Sequence, residues 1–286
     1  MTPRSNLHGR VLEYLITEVL IRNHPGVSLT NRANNDQVRD ASKLADLNPA
    51  LLNELTLAAN ALLLKWLNPH FQLSDQASIT IDRLPDQNKK DVTDICLTSR
   101  SWTVNLSLKH NHSALRHQRP GTTPIHCGYS KDSAQMQQFK QQYQVITQEL
   151  KQHIGQANLF KELPSALIEQ YLYTPVCNLV SQFITSHAST CTTHLFQYLV
   201  GDVNYYKIIV DTHAQTLSIQ KFADIQMPTN VIATVNRQYV NLSFDNGWEI
   251  SMRLHTASSQ LKNSPSLKFD TKALNNPLTA TIIPYV

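Results

Sequence analysis

The stretch VTDICLTSRSWTVNLSLKHNH, Val92 to His112, holds two runs of alternating residues and ends in a lysine followed by a polar, histidine-laden cluster. Side chains alternate across a strand, so Ile95 and Leu97 point one way while Asp94, Cys96 and Thr98 point the other. On the return strand Trp102, Val104, Leu106 and Leu108 face a core, leaving Thr103, Asn105, Ser107 and Lys109 on the outer face. A loop from Ser99 to Trp102 pairs Thr98 with Thr103, and continuing that register brings Asp94 opposite Ser107. Lys109 is then the diagonal neighbour of Asp94, within reach of a long side chain. One polar face thus gathers a carboxylate, a hydroxyl and a lysine. The carboxylate suits a divalent metal, and the lysine can orient an attacking water or stabilise charge on a phosphate, which is the chemistry of phosphodiester hydrolysis. A plain surface ion pair between Asp94 and Lys109 gives the same pattern.

Around this hairpin the chain alternates helical and strand character. Val11, Leu12, Leu15, Ile16, Val19 and Leu20 recur at helical spacing in GRVLEYLITEVLIR, with Glu13 beside the apolar stripe. A polar segment, NRANNDQVRD, precedes a second helical region from about Pro49 to Leu67, limited by Pro69. ITIDRLP reads as a strand, and MQQFKQQYQVITQELKQHI as a helix with Met136, Phe139, Tyr143, Ile146 and Leu150 in phase. Residues 162–200 read as largely helical with breaks at Pro164 and Pro175, and from Tyr205 short alternating strands take over. The clearest is YVNLSFDNGWEISMRLHTASS, a hairpin turning at Asp245-Asn246-Gly247 with Val240, Leu242, Phe244, Trp248, Ile250, Met252 and Leu254 on its buried face.

With 286 residues and 41% hydrophobic content the chain is long enough for one large domain or two small ones. No run of about 18 apolar residues is present, and MTPRSNLHGR is too polar for a secretory signal, so a cytoplasmic, bacterial intracellular protein without a membrane partner is expected. The four cysteines, Cys96, Cys127, Cys177 and Cys191, are widely spaced, which argues against disulfides and a four-cysteine zinc site. A net charge of +4 is compatible with a nucleic-acid partner without requiring one.

The Asp94 to Lys109 arrangement resembles the PD-(D/E)XK nuclease motif, in which an acid starts one strand and an acid-x-lysine triplet lies on the next; here Ser107 stands in the place of the second acid. GRVLEYL, DVTDICL, LSLKHNHSALRHQR, NGWEISMRLHTASS and SLKFD, in that order from Gly9 to Asp270, together resemble the HaeIII-type type II restriction endonucleases. The resemblance implies an α/β (α+β) fold with a mixed central sheet flanked by helices and a C-terminal strand-rich DNA-recognition region. It divides the chain into a catalytic core at 1–160 and a helical then β-rich recognition region at 161–286, packed as one compact unit. It implies a site-specific endonuclease of a restriction-modification system that cuts double-stranded DNA at a short palindrome, GGCC in the family's best-known members. The implied cofactor is Mg2+, as one or two ions, with no nucleotide cofactor; a homodimer on palindromic DNA and a cognate DNA methyltransferase are the implied partners. Glu13 corresponds to the helix glutamate that many such nucleases bring to the metal, so the implied ligands are Asp94, Glu13 and the Leu108 carbonyl, and the implied catalytic set is Asp94, Lys109, Glu13 and Ser107. A DNA-binding protein without catalysis, and a repair or structure-specific nuclease of the same fold, are the rival readings.

KHNHSALRHQR places Lys109, His110, Asn111, His112, Arg116, His117 and Arg119 close together, a cluster suited to a polyanion. Arg116 and Arg119 are assigned to phosphate, and His110, Asn111, His112 and His117 to phosphate, water or base edges. In RLHTASSQLKNSPSLKFD, Arg253 suits a bidentate guanine contact, with His255, Ser258, Ser259, Lys262 and Lys268 nearby; the alternative for SLKFD is a core strand with Leu267 and Phe269 inside and Lys268 out. A zinc site from His110, His112, His117, His126 and Cys127 fails on spacing. So does a literal His-Asn-His nuclease motif, because consecutive strand residues alternate sides and cannot converge on one ion.

Overall fold

The computed structural model describes residues 4–85, 92–262 and 264–286. In chain order the elements are α1 (Arg4–Asn23), β1 (Val27–Leu29), α2 (Asn31–Ala41), α3 (Pro49–Leu62), α4 (Asn68–Phe71), β2 (Ile79–Arg83), β3 (Ile95–Ser99) and β4 (Thr103–His110). A helical stretch follows with α5 (Thr123–His126), α6 (Ala134–His153), α7 (Ser165–Ile168), α8 (Thr174–Ser186) and α9 (Ala188–Val200). The strands β5 (Tyr205–Asp211), β6 (Thr216–Phe222), β7 (Val231–Asn236), β8 (Tyr239–Phe244), β9 (Glu249–Thr256), β10 (Leu267–Asn275) and β11 (Ala280–Pro284) complete the chain.

These elements form two compact units that are discontinuous in sequence, whereas the segments 1–160 and 161–286 expected from the sequence are each continuous. The first unit contains the described residues up to Ser113, with Val203–Ile225 and Leu278–Val286. Its sheet runs β1-β2-β3-β4-β5-β6-β11 and is mixed, because β1 with β2 and β4 with β5 are parallel and the other neighbours antiparallel. A parallel pair cannot be closed by a tight turn and needs a long crossover; between β4 and β5 that crossover is Ala114–Asp202, which belongs to the second unit.

One face of this sheet is the core of the first unit. Val11, Leu12, Leu15, Ile16, Val19 and Leu20 of α1 are all buried there against Ile79, Ile81, Ile95, Leu97, Val104, Leu106, Leu108, Ile208 and Val210. The apolar stripe of α1 and the core-facing residues of the hairpin therefore meet in one cluster. The helical run Pro49–Phe71 is long and apolar enough to cross a membrane by length and composition. Here it lies in the same core, with Leu55, Ala58, Leu62, Trp66 and Leu67 buried and a π-helical turn at Leu63–Leu67.

The polar segment NRANNDQVRD is a helix, α2, which hydropathy did not reveal. Thr30 caps it by accepting from the Ala33 amide at 3.1 Å, and its buried face is Ala33, Gln37 and Asp40. The spacing of that face is helical, but two of its members are polar and are compensated by a buried arginine rather than by apolar packing.

The second unit is Ala114–Asp202 with Gln226–Pro277. Its antiparallel sheet runs β10-β9-β8-β7, and α8 and α9 pack against it. The hairpin turns where expected: Leu242 pairs with Ile250, Val240 with Met252, and Gly247 takes φ of 84°, a region that favours glycine. Trp248, Ile250, Met252 and Leu254 are fully buried. Leu267 and Phe269 of SLKFD are also buried, so that word forms a core strand, β10, paired with β9. Pro175 does not interrupt the helical run; it sits at the start of α8, directly after a π-helical turn at Glu169–Tyr173. All four cysteines are free thiols.

Leu12→Ala removes a side chain with no exposed surface beside Glu13. It is expected to cost about 2–5 kcal/mol, read as a lower urea midpoint of the first unit.

Candidate active site

The hairpin register is the one the alternation dictates: Thr98 pairs with Thr103, Cys96 with Asn105 and Ile95 with Leu106, closed by Ser99 N–H donating to the Trp102 carbonyl at 2.9 Å. Asp94 stands just before β3, and its amide donates to the Leu106 carbonyl at 2.8 Å. One step further along the ladder, its carboxylate Oδ2 accepts from the Leu108 amide at 2.6 Å and lies 3.4 Å from Lys109 Nζ. The Asp94 and Lys109 side chains are each 22% exposed, enough for a ligand to reach them. A charge-assisted bond from a backbone amide fixes the carboxylate more firmly than the ammonium alone could.

Glu13 lies on α1 and is buried. Its Oε2 accepts from Arg83 Nη2 at 2.8 Å, with Arg10 at 3.6 Å. Arg83, fully buried, also donates to Asp40 at 2.7 Å and to Gln37 at 2.8 Å. Asp40 takes further bonds from Arg39 and Lys43, and these partners hold its carboxyl well below the usual carboxylate range although burial opposes them. Glu13 goes the other way: burial pushes its carboxyl up to about 7, the negative charge of Asp94 adds to the push, and Arg83 only partly offsets both. Glu13 and Asp94 therefore sense each other, and a divalent cation between them would relieve that repulsion.

Among the described residues no group of three His, Cys, Asp or Glu side chains converges as an ion site. The three donors expected from the sequence, Asp94, Glu13 and the Leu108 carbonyl, would offer a cation hard oxygens of the kind Mg2+ takes.

Ser107 is 2% exposed, and its neighbour across the parallel pairing is Lys207 of β5. Lys207 is 4% exposed, donates to the Ser113 carbonyl at 2.7 Å, and is pushed down to about 7 by burial first and by the charge of Lys109 second. Sequence reasoning did not single it out. The available signal was a lone lysine inside the apolar run YYKIIVD, where a solvated face was not expected.

The polar cluster after Lys109 is held tightly within the first unit. His110 Nδ1 is 3.2 Å from His8 Nδ1 and its Nε2 is 3.3 Å from Thr212 Oγ1; burial pushes it down to about 4, so the ring is neutral near pH 7. Asn111 takes φ of 56° and exchanges bonds with Thr212, donating to Oγ1 at 2.8 Å and accepting from the Thr212 amide at 2.8 Å. His110 and Asn111 thus clamp the end of β4 to the end of β5, while His112 is exposed.

The remaining basic residues belong to the second unit. Arg116 stacks 4.8 Å over the Tyr198 ring, and Arg119 donates to Ser266 at 3.2 Å. Asp270 collects His117 at 3.2 Å, His255 at 2.9 Å and Lys268 at 3.6 Å. Burial works against the Asp270 carboxylate, but His255 and Lys268 hold its carboxyl below the usual range. Arg253, Ser259 and Lys262 are exposed, and Ser258 is half-buried with its hydroxyl accepting from the Gln260 amide at 3.2 Å. Arg83 and Asp270, like Lys207, carry organising roles that the sequence did not announce.

The model of the HaeIII restriction endonuclease family matches residues 9–237 and 211–277. The Type II restriction enzyme HaeIII of Haemophilus aegyptius is 28% identical over 221 residues, which covers 66% of this chain and 67% of that protein. No solved structure matches.

The raised Glu13 carboxyl has a signed consequence. A group whose folded value lies above its unfolded one favours folding below about 4.5, and that contribution is lost as pH rises through about 7. Glu13→Gln is therefore expected to raise the thermal midpoint relative to wild type above pH 7 and to leave it unchanged near pH 4. Melting curves across that range check it, and an equal effect at both ends would contradict the raised value.

Proposed function

Because the chain belongs to the HaeIII restriction endonuclease family, a family of site-specific deoxyribonucleases, we propose that it hydrolyses phosphodiester bonds in double-stranded DNA at a short palindrome, GGCC, with Mg2+ as cofactor. The observation that carries this reading is the Asp94 carboxylate pinned by the Leu108 amide, with Lys109 at 3.4 Å. Bound at Asp94, Glu13 and the Leu108 carbonyl, the cation would polarise a phosphoryl oxygen and lower the pKa of water.

The protein's own residues supply the rest. Lys109, held by Asp94, orients the attacking water and stabilises the charge that builds on the phosphate as a new oxygen–phosphorus bond forms and the ester bond breaks. Arg83 keeps Glu13 directed toward the site while leaving its charge undercompensated. His112 supplies a polar contact at the edge of the DNA face. Arg116, Arg119, His117 and Lys268 take phosphate, and Arg253, His255, Ser258, Ser259 and Lys262 lie toward base edges, where arginine recognises guanine in the major groove. A palindromic target suits a two-fold dimer, and a cytoplasmic enzyme of this kind requires a methyltransferase to protect host DNA.

Plasmid incubated with Mg2+ is expected to give defined fragments that vanish with EDTA and fall at least about a hundredfold in rate with Lys109→Ala or Asp94→Asn. Sequencing the fragment ends reads the target. Intact plasmid under every condition would sink the reading. The acid missing at Ser107 favours one alternative, a protein that binds DNA without cutting, for which site-specific binding would persist without fragments.

A further inference from the structure

We propose that Arg253 and Asp270, opposed on β9 and β10, together read one G·C base pair in the major groove, the arginine on guanine and the carboxylate on cytosine. The inference rests on the nuclease reading above and deepens it by giving an acid a part in specificity. Direct pairing sets the two residues side by side, with β-carbons about 5 Å apart. Both turn away from the core, because their strand neighbours Met252, Leu254, Phe269 and Thr271 are fully buried. The core face of that sheet is taken by α9, whose Phe196 ring lies 5.1 Å from Phe244 and 5.4 Å from Trp248. The face with Arg253 is open: Tyr239, its pairing partner on β8, is exposed, as are Ser243 and Lys272.

An arginine and an aspartate placed in this way can close on each other, but among the described residues the ion-pair partners of Asp270 are His117, His255 and Lys268. The Arg253 fork stays exposed. The Asp270 carboxylate, 37% exposed, is fixed from the side by His255 at 2.9 Å and His117 at 3.2 Å and keeps lone pairs for a further donor. In the major groove guanine shows two acceptors, N7 and O6, and the cytosine paired with it shows its N4 amine as a donor. Two arginine donors beside a carboxylate match that row. An A·T pair would set the adenine amine against the arginine and thymine O4 against the carboxylate, so both contacts turn repulsive. Phosphate is repelled by a carboxylate, so an acid beside Arg253, Lys268 and Lys272 fits a base amine rather than the DNA backbone.

The test removes one base atom group at a time. Duplexes containing GGCC are bound with Ca2+ in place of Mg2+, and affinity is read by fluorescence anisotropy. Each cytosine position in turn is replaced by 2-pyrimidinone, which lacks the 4-amino group, and each guanine position by 7-deazaguanine, which lacks N7. Wild type is expected to bind about tenfold more weakly at one cytosine position and at the guanine paired with it. Asp270→Ala should be blind to that cytosine change, and Arg253→Ala to that guanine change. An Asp270 that only steadies Arg253 would leave binding insensitive to the amine, and residues acting on different base pairs would separate the two positions; either result would overturn the proposal. Thermal melting reports whether Asp270→Ala folds, and a wild type indifferent to every pyrimidinone position overturns the proposal without it. Plasmid left intact in Mg2+ would instead overturn the nuclease reading, so the two failures are separable.

Discussion

The parallel pairing of β4 with β5 is the constraint on which the rest depends. It joins Leu106–His110 to Tyr206–Val210 and so sets Lys207 beside Ser107 and the Val210 carbonyl beneath the Asn111 amide. Because no short turn can close a parallel pair, the chain between these strands must be long, and here it supplies α5 to α9 of the second unit. Strand β4 and the basic residues Arg116, His117 and Arg119 are therefore close in sequence yet belong to different compact units, parted at Ser113.

A second constraint is electrostatic. Arg83 is fully buried between two acids, Glu13 and Asp40, and Asp40 has its own partners in Arg39 and Lys43. The arginine is shared, so Glu13 receives less than a full counter-charge while facing Asp94. Breaking a buried pair by removing one partner leaves an uncompensated charge, which explains why a polar helix, α2, is worth building to hold Asp40 and Gln37 in place.

What was legible in the sequence follows from how local the cause is. The hairpin register could be read because alternation and a four-residue loop fix it within a dozen residues, and the α1 stripe because its period is helical and its face apolar. The fold class was implied by the resemblance to a nuclease family that the words around these segments carry. The α2 helix was not legible, because its buried face is made of Gln37 and Asp40 and depends on an arginine far along the chain. Lys207 was hidden for the same reason: its neighbour in space is Ser107, and only strand order, which no local pattern encodes, brings them together. Asn111 looked like a free polar contact, yet its left-handed backbone and paired bonds to Thr212 make it part of the scaffold. The approach of His255 to Asp270 likewise needed the β9–β10 pairing, and that of His117 the bridge between Gln118 and Phe269.

The placement of β11 bears on how such a chain reaches its working form. Ala280–Pro284 pairs with β6, Lys65 donates to the Pro284 carbonyl at 2.7 Å, and the Tyr285 hydroxyl donates to Glu54 at 3.2 Å. The unit that carries Glu13, Asp94 and Lys109 is thus sealed by residues translated after all of the second unit. During synthesis the second unit can complete its own sheet while the first still has an open edge. A polypeptide released before β11 would carry Glu13, Asp94 and Lys109 on a sheet that still lacks the strand next to β6.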